Sequence, residues 1–186
     1  MLEQRGIYTD EDFPHGKTLY SLGIDALSEL PARIQVPSRN FALLLAGDAT
    51  GWSDADILAV AKKLLDKGLA VLVAWGPDCE RVHDLFDSAR SPEEDDDEVI
   101  LTTWHGEETL DETLWYFVGV AAASESYVET CTSWVAVSVN HPGWAEHMKI
   151  RMEGSKTLLS ASKEEDPSTC CDTFEASHDA EETSPS

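Results

Sequence analysis

Four short apolar runs, separated by amphipathic segments, set the pattern of residues 41–153. Each run has the length of a strand and lacks regular polar alternation, which is typical of strands buried on both faces of a parallel sheet. The segment 127–132 fits either a short strand or a loop. The predicted strands are 41–47, 69–75, 99–104 and 134–139.

The segments between these runs carry apolar residues at helical spacing. They predict a helix over 54–67 capped by Ser53, a helix over 77–89 with Pro77 at its first position, a helix that buries Leu110, Leu114, Phe117, Val118 and Ala121, and a short helix over 144–152. Strands that alternate with helices predict an α/β fold. We expect a three-layer α/β sandwich with a four-stranded, mainly parallel, doubly wound sheet of the flavodoxin or Rossmann type. Counting the strands along the chain, the predicted order is 2-1-3-4, with 3-2-1-4 as the alternative.

The two ends of the chain have a different character from the middle. Three prolines interrupt residues 1–40, where one short helical pattern in Ile24, Leu27 and Leu30 stops before Pro31. We expect an N-terminal arm with a short helix over 1–40, an α/β domain over 41–153, and a disordered acidic tail rich in Ser and Thr over 154–186. The acidic run Glu93–Glu98 predicts a solvated loop.

Charge and cysteine usage restrict the classes of partner and compartment. The net charge is −23, and residues 154–186 contribute −6 of it with 8 acids and 2 bases, so residues 1–153 carry −17. This excess argues against nucleic acid and anionic membranes as partners. The four cysteines form no C-x-x-C pair, which supports neither a zinc knuckle nor a disulfide framework. With no apolar run of bilayer length and no signal-like N-terminus, we expect a cytoplasmic protein.

Polar and aromatic side chains follow each predicted strand. Because the carboxyl ends of parallel strands meet at one edge of a sheet, we expect the turns at 48–52, 75–80, 104–108 and 140–144 to form one face. Tryptophans at the rim of such a face favour binding of another protein or of a ring-bearing ligand, unless they seal the open end of the sheet. The expected binding residues are Asp48, Trp52, Trp75, Asp78, Trp104, His105, Glu107 and His141.

Two groups of residues suggest chemistry, and each has a simpler structural interpretation. Asp48, Asp78 and His105 are candidate ligands for a divalent cation, although short acids after strands often cap helices or turns. Cys79 and His83 lie one helical turn apart, as a thiolate–imidazole pair would, but a half-buried structural cysteine and a surface histidine fit the pattern better.

The glycines of AGDATG, at residues 46–51, match neither the dinucleotide-binding motif nor the P-loop. We therefore expect a non-enzymatic module without a cofactor that binds a protein partner, or a small ligand, at the carboxyl edge, and its acidity favours a basic partner. The first alternative is a metal-dependent hydrolase with Asp48, Asp78 and His105 as metal ligands and Glu107 as general base. A second alternative, an acidic decoy that mimics nucleic acid, rests on charge alone. Homo-oligomers are compatible with all three.

The string WGPDCERVHDLFD, with the apolar strand before it and the segment FALLLAGD, resembles a family of small bacterial proteins of unknown function. The resemblance covers about residues 38–150. It implies a bacterial cytosolic α/β domain and supplies no catalytic residues.

Overall fold

The computed structural model describes residues 2–10, 13–90 and 99–154. The predicted acidic loop at Glu93–Glu98 and all but the first residue of the predicted tail lie outside these ranges. Within them, no helix combines the length and the hydrophobicity that crossing a bilayer requires.

In these ranges the chain forms six strands and five α-helices. The strands are β1 (Glu3–Asp10), β2 (Phe13–Ile24), β3 (Asn40–Ala46), β4 (Leu69–Trp75), β5 (Leu101–His105) and β6 (Cys131–Val139). The helices are α1 (Leu30–Arg33), α2 (Asp54–Leu65), α3 (Cys79–Ser88), α4 (Leu110–Gly119) and α5 (Pro142–Glu153). Two 3-10 turns lie at Leu27–Glu29 and Ala49–Gly51.

The six strands form one sheet in the order β1-β2-β6-β3-β4-β5. Only β1 and β2 pair in antiparallel fashion, and the other neighbours are parallel. The mainly parallel sheet is confirmed, but four strands are too few. The four predicted strands are β3 to β6, and their spatial order β5-β4-β3-β6 makes the predicted order 2-1-3-4 wrong and matches the alternative 3-2-1-4.

The two additional strands come from the first 24 residues, where we expected an arm. β1 and β2 form a hairpin that extends the sheet, and β2 pairs with β6 from Thr18–Ser133 to Ile24–Val139. The short helix after them was expected to stop before Pro31, but Pro31 lies in the first turn of α1. Proline is tolerated there because first-turn amides have no partner within the helix.

Helices cover both faces of the sheet, as expected for a three-layer sandwich. Alternate residues of β3 face opposite layers: Leu43 and Leu45 pack in the core with α2 and α3, while Leu44 and Ala46 pack in the core with α4 and α5. All seven residues of β3 are buried, which explains why its sequence shows no polar alternation.

The helix boundaries follow local backbone chemistry. α2 begins as predicted, because the Ser53 hydroxyl accepts a hydrogen bond from the Asp56 amide at 3.2 Å. α3 begins at Cys79, two residues later than predicted, because Gly76 and Asp78 adopt positive φ angles of 111° and 64°. Residues 125–130 form turns, so the ambiguous segment 127–132 is mostly not a strand.

Candidate functional site

The turns that follow β3 and β4 pack directly against each other. The Gly47 amide donates to the Trp75 carbonyl at 3.1 Å, and the Ala49 amide donates to the Pro77 carbonyl at 3.0 Å. A Cβ atom at Gly76 would lie 2.5 Å from the Gly47 carbonyl oxygen. These contacts leave no room for a ligand between the two turns.

Arg81 of α3 ties the same two turns together with its side chain. Its Nε donates to the Asp78 carboxylate and its Nη1 to the Asp54 carboxylate, both at 2.7 Å. Its Nη2 donates to the Ala49 and Trp52 carbonyls at 2.6 and 3.2 Å. The Asp78 carboxylate is the main cause of a raised pKa for Arg81. The Arg81 guanidinium and the Asp78 carboxylate thus both have hydrogen-bond partners within the chain.

Asp48 and Trp52 close the end of β3. The Asp48 carboxylate accepts hydrogen bonds from the Thr50 hydroxyl and amide at 2.6 and 3.1 Å, which lower its pKa. The Trp52 ring lies so close to Gly47 that a Cβ atom there would be 2.5 Å from its Cη2 atom, with Val139 also nearby. Trp52 therefore packs over the ends of β3 and β6, the position where doubly wound sheets commonly hold ligands.

A row of three rings leads from β4 to α5. The rings of Trp75 and Trp144 meet edge to face with centroids 4.9 Å apart, and Trp144 stacks on His141 at 3.8 Å. The His141 Nδ1 atom also accepts the Trp144 amide at 3.1 Å and so caps α5. Trp75 Nε1 donates to the Glu108 carbonyl at 2.8 Å, which fixes the turn after β5.

His105 and Trp104 point to opposite faces of β5. The His105 ring lies 4.6 Å from the Tyr116 ring of α4, and its Nδ1 atom is 3.4 Å from the Glu108 carboxylate. Burial lowers the pKa of His105, although Glu108 acts in the opposite direction. Trp104 is 46% exposed, and its ring lies 4.6 Å from the His83 ring of α3 at an angle of 54°.

The three candidate metal ligands do not form a metal site. Asp48 is bonded to Thr50, Asp78 to Arg81, and His105 faces Glu108 and Tyr116. Across residues 2–10, 13–90 and 99–154, no group of three or more His, Cys, Asp or Glu side chains is placed to hold an ion. The two aspartates instead stabilise their own turns.

Cys79 and His83 do not form a nucleophile–base pair. The thiol of Cys79 is buried, and burial raises its pKa, which disfavours the thiolate. It faces the turn after β5, since a Cβ atom at Gly106 would lie 3.5 Å from its Sγ atom. His83 packs on Trp104 and lies 3.0 Å from Asp84.

A concavity of about 790 Å³ opens beyond the carboxyl ends of β4 and β5. Five of its ten lining residues carry carboxylates, and none of the ten is basic. We call it the acidic concavity. Its lining residues are Gly76, Pro77, Asp78, Cys79, Glu80, Trp104, Gly106, Glu107, Glu108 and Glu112.

The carboxylates of the acidic concavity differ in how they are bonded. Asp78 is paired with Arg81, and Glu112 accepts hydrogen bonds from the amide and hydroxyl of Thr109 at 2.7 Å. In the described part of the chain, the carboxylates of Glu80 and Glu107 have no hydrogen-bond or ion-pair partner. Together with the exposed Trp104 indole, they present a surface suited to a cation.

The eight predicted binding residues lie along one edge of the sheet but do not share one pocket. Asp78, Trp104 and Glu107 line the acidic concavity. Trp75 and His105 do not line it, but both contact Glu108, which does. The remaining three, Asp48, Trp52 and His141, belong to the ends of β3 and β6, and His141 lines a separate polar crevice beside β2.

Three of the five carboxylate residues in the lining were absent from the predicted binding residues, namely Glu80, Glu108 and Glu112. Their sequence signal is the position of acids in, or just before, the first turns of the helices that follow β4 and β5. Acids are common there because they stabilise helix N-termini, so position alone does not indicate binding.

A family model described as "Domain of unknown function (DUF7684)" matches residues 21–152, well over half of the chain. This match agrees with the resemblance to a family of unknown function noted for residues 38–150. No curated protein and no solved structure matches the chain.

Proposed function

The chain belongs to the family of the domain of unknown function DUF7684, and we propose that it is a binding module that receives arginine or lysine side chains of a basic protein partner in the acidic concavity. The observation that carries this proposal is the lining itself: five carboxylates and a half-exposed indole, with no basic residue among the ten.

The local chemistry favours a cation over an anion or a neutral ligand. Arg81, which pairs with Asp78 of the acidic concavity, has its guanidinium directed to Asp78, Asp54 and two carbonyls, so it offers little to an anion. Trp104 is 46% exposed and lines the acidic concavity together with Glu80 and Glu107, and an indole ring attracts guanidinium and ammonium groups.

The expected affinity is modest, because the acidic concavity is open to water. Exposed ion pairs contribute about 0.2–1 kcal/mol each, and a cation over an exposed indole contributes roughly 0.5–1 kcal/mol. Two such pairs and one ring contact therefore change the binding constant by about 5-fold to 150-fold. Such binding should weaken as salt rises, because exposed charges are screened.

The test is calorimetric titration of the full chain with a ten-residue peptide that contains four arginines, at low ionic strength. The variant combines Trp104→Ala, Glu80→Gln and Glu107→Gln, and we expect it to bind the peptide at least about 5-fold more weakly than the unmodified chain.

The matched control combines Glu125→Gln and Glu129→Gln. These exposed acids lie in the turns before β6, away from the acidic concavity. Their substitution removes the same number of negative charges as the substitutions at Glu80 and Glu107. The control should keep the affinity of the unmodified chain within about 2-fold. Equal losses in the variant and the control would mean that the peptide responds to overall charge, and the proposal would then be wrong.

A further inference from the structure

Among the described residues, the strand beside the acidic concavity has one edge without a neighbouring strand. β5 pairs with β4 from Val71–Leu101 to Trp75–His105. It is the terminal strand of the sheet, and no other strand of the described structure pairs with its second edge. A terminal strand presents unpaired amides and carbonyls, which can accept a further strand.

A shallow groove of about 270 Å³ runs along this edge and is lined by Thr102, Thr103, Trp104, His105 and Tyr116. Trp104 lines both this groove and the acidic concavity, so the two form one continuous surface. The Thr102 hydroxyl donates to the Asp87 carboxylate at 2.8 Å, and the Thr103 hydroxyl lies 3.3 Å from His105 Nε2. Because these hydroxyls have partners within the chain, the main chain is what the strand edge offers to a ligand.

We propose that the basic partner binds as an extended segment that pairs with the free edge of β5 and places its cationic side chain in the acidic concavity. This inference rests on the proposed function and adds the mode of binding. Main-chain hydrogen bonds along residues 101–105 would supply affinity, and the carboxylates of Glu80 and Glu107 would select a basic residue at one end of the segment.

The occupant is a segment of another protein and not a second copy of this chain. Residues 1–153 carry a net charge of −17, so two copies repel each other. Pairing of two β5 strands would also bring an acidic concavity against a chain of the same sign, with no basic side chain in the lining to compensate.

The test uses two seven-residue peptides of alternating Thr and Val, one with two arginines at its N-terminus and one with two at its C-terminus. These cover antiparallel and parallel pairing. Each is also made with N-methyl groups on every second residue, in two complementary sets. Side chains and charge stay the same, but each set blocks the amides of one side of the strand.

Strand addition predicts that at least one parent peptide binds the full chain. One N-methyl set should weaken its binding at least about 10-fold, while the complementary set changes it by less than about 2-fold, because only alternate amides of a strand face its neighbour. Hydrogen exchange measured by NMR should slow at amides within Leu101–His105 when the parent peptide binds.

The alternative outcomes separate the two proposals. If both N-methyl sets bind like the parent and the β5 amides stay unprotected, strand addition is wrong while binding of basic residues stands. If neither parent binds and the arginine-rich peptide also fails, the proposed function itself is wrong. If the chain alone sediments as a dimer with protected β5 amides, the occupant is a second copy and the choice of partner is overturned.

Discussion

At the level of single residues, the turn after β4 depends on Gly76. Its φ angle of 111° is one that side-chain-bearing residues rarely adopt, and a Cβ atom there would lie 2.5 Å from the Gly47 carbonyl oxygen. This close approach brings the β3 and β4 turns together and places one wall of the acidic concavity. Gly76 therefore allows the turn conformation that positions this wall of the acidic concavity.

We predict that Gly76→Ala lowers the free energy of unfolding by at least about 2 kcal/mol, since it adds backbone strain and a clash with Gly47. At Gly51, in contrast, φ is not positive and an added Cβ atom would meet no other atom within 4 Å. Gly51→Ala should change stability by less than about 0.5 kcal/mol. Urea unfolding of both variants tests this prediction. Similar losses of stability in the two variants would show that the clash with Gly47 is not the cause.

Lys17 is a charged residue in the core. It is 1% exposed, its Nζ donates to the Val118 and Ala121 carbonyls at 2.9 and 2.6 Å, and it lies 3.8 Å from the centre of the Trp134 ring. It therefore joins β2 to the end of α4. Burial lowers its pKa from 10.5 to about 7, against a small opposing effect of the nearby Cys131.

We predict that stability rises with pH above pH 7 through Lys17. The unfolded chain keeps the Lys17 proton up to about pH 10.5, whereas the folded chain releases it from about pH 7. The unfolded state thus binds more protons in this window, and the free energy of unfolding gains about 2 kcal/mol between pH 7 and pH 9. Urea unfolding at several pH values measures this gain, and Lys17→Met should lack it.

The window for that measurement ends near pH 9 because of Cys131. Burial raises the pKa of its thiol from 9.0 to about 12, so above pH 9 the unfolded chain loses this proton first, and the Cys131 contribution to stability opposes that of Lys17. Parallel pH profiles for the unmodified chain and Lys17→Met below pH 9 would show that Lys17 keeps its proton in the fold.

At the level of elements, α2 shows how directly a local pattern can specify a boundary. Ser53 was predicted as its cap, and its hydroxyl accepts the Asp56 amide. We predict that Ser53→Ala costs about 1 kcal/mol of stability, whereas Ser53→Thr keeps the capping oxygen and costs less than half of that. Thermal or urea unfolding of the two variants checks this, and equal costs would assign the effect to something other than the cap.

The hairpin of β1 and β2 shows where the pattern is insufficient. β2 has inward positions at Lys17, Leu19 and Ser21, which are all buried, and it also contains Pro14, Gly16 and Gly23. Because a lysine and a serine occupy two of these buried positions, the sequence of β2 does not show the alternation of apolar and polar residues that indicates a strand. The buried Lys17 ammonium donates to the Val118 and Ala121 carbonyls, about 100 residues away at and just after the end of α4, and local sequence does not reveal these acceptors.

The order of the strands was also beyond the local pattern. β3 to β6 are all apolar runs of similar length, and nothing in such a run specifies its neighbour. β6 lies between β2 and β3, so the hairpin covers the edge of β6 that a four-stranded sheet would leave open. A prediction that omits β1 and β2 therefore has no reason to prefer one order over the other.

At the level of the whole molecule, the sequence predicted the edge that carries the site but not the shape of that edge. Parallel strands place their following turns together, which brings Asp78, Trp104 and Glu107 around one concavity. The packing of side chains determines the shape of this edge. Trp52 covers Gly47, while Trp75 packs against Trp144 and donates a hydrogen bond to the Glu108 carbonyl. Such packing depends on contacts between elements distant in sequence. The separation of the acidic concavity from the polar crevice was therefore not predictable.

The measurement that tests the central claim most directly is NMR mapping of the arginine-rich peptide on the isotope-labelled full chain. We predict that shifts in the amide signals concentrate in 76–80 and 104–108, with a shift of the Trp104 indole signal. Shifts spread evenly over the surface, or confined to the polar crevice at Ser138 and His141, would contradict binding in the acidic concavity.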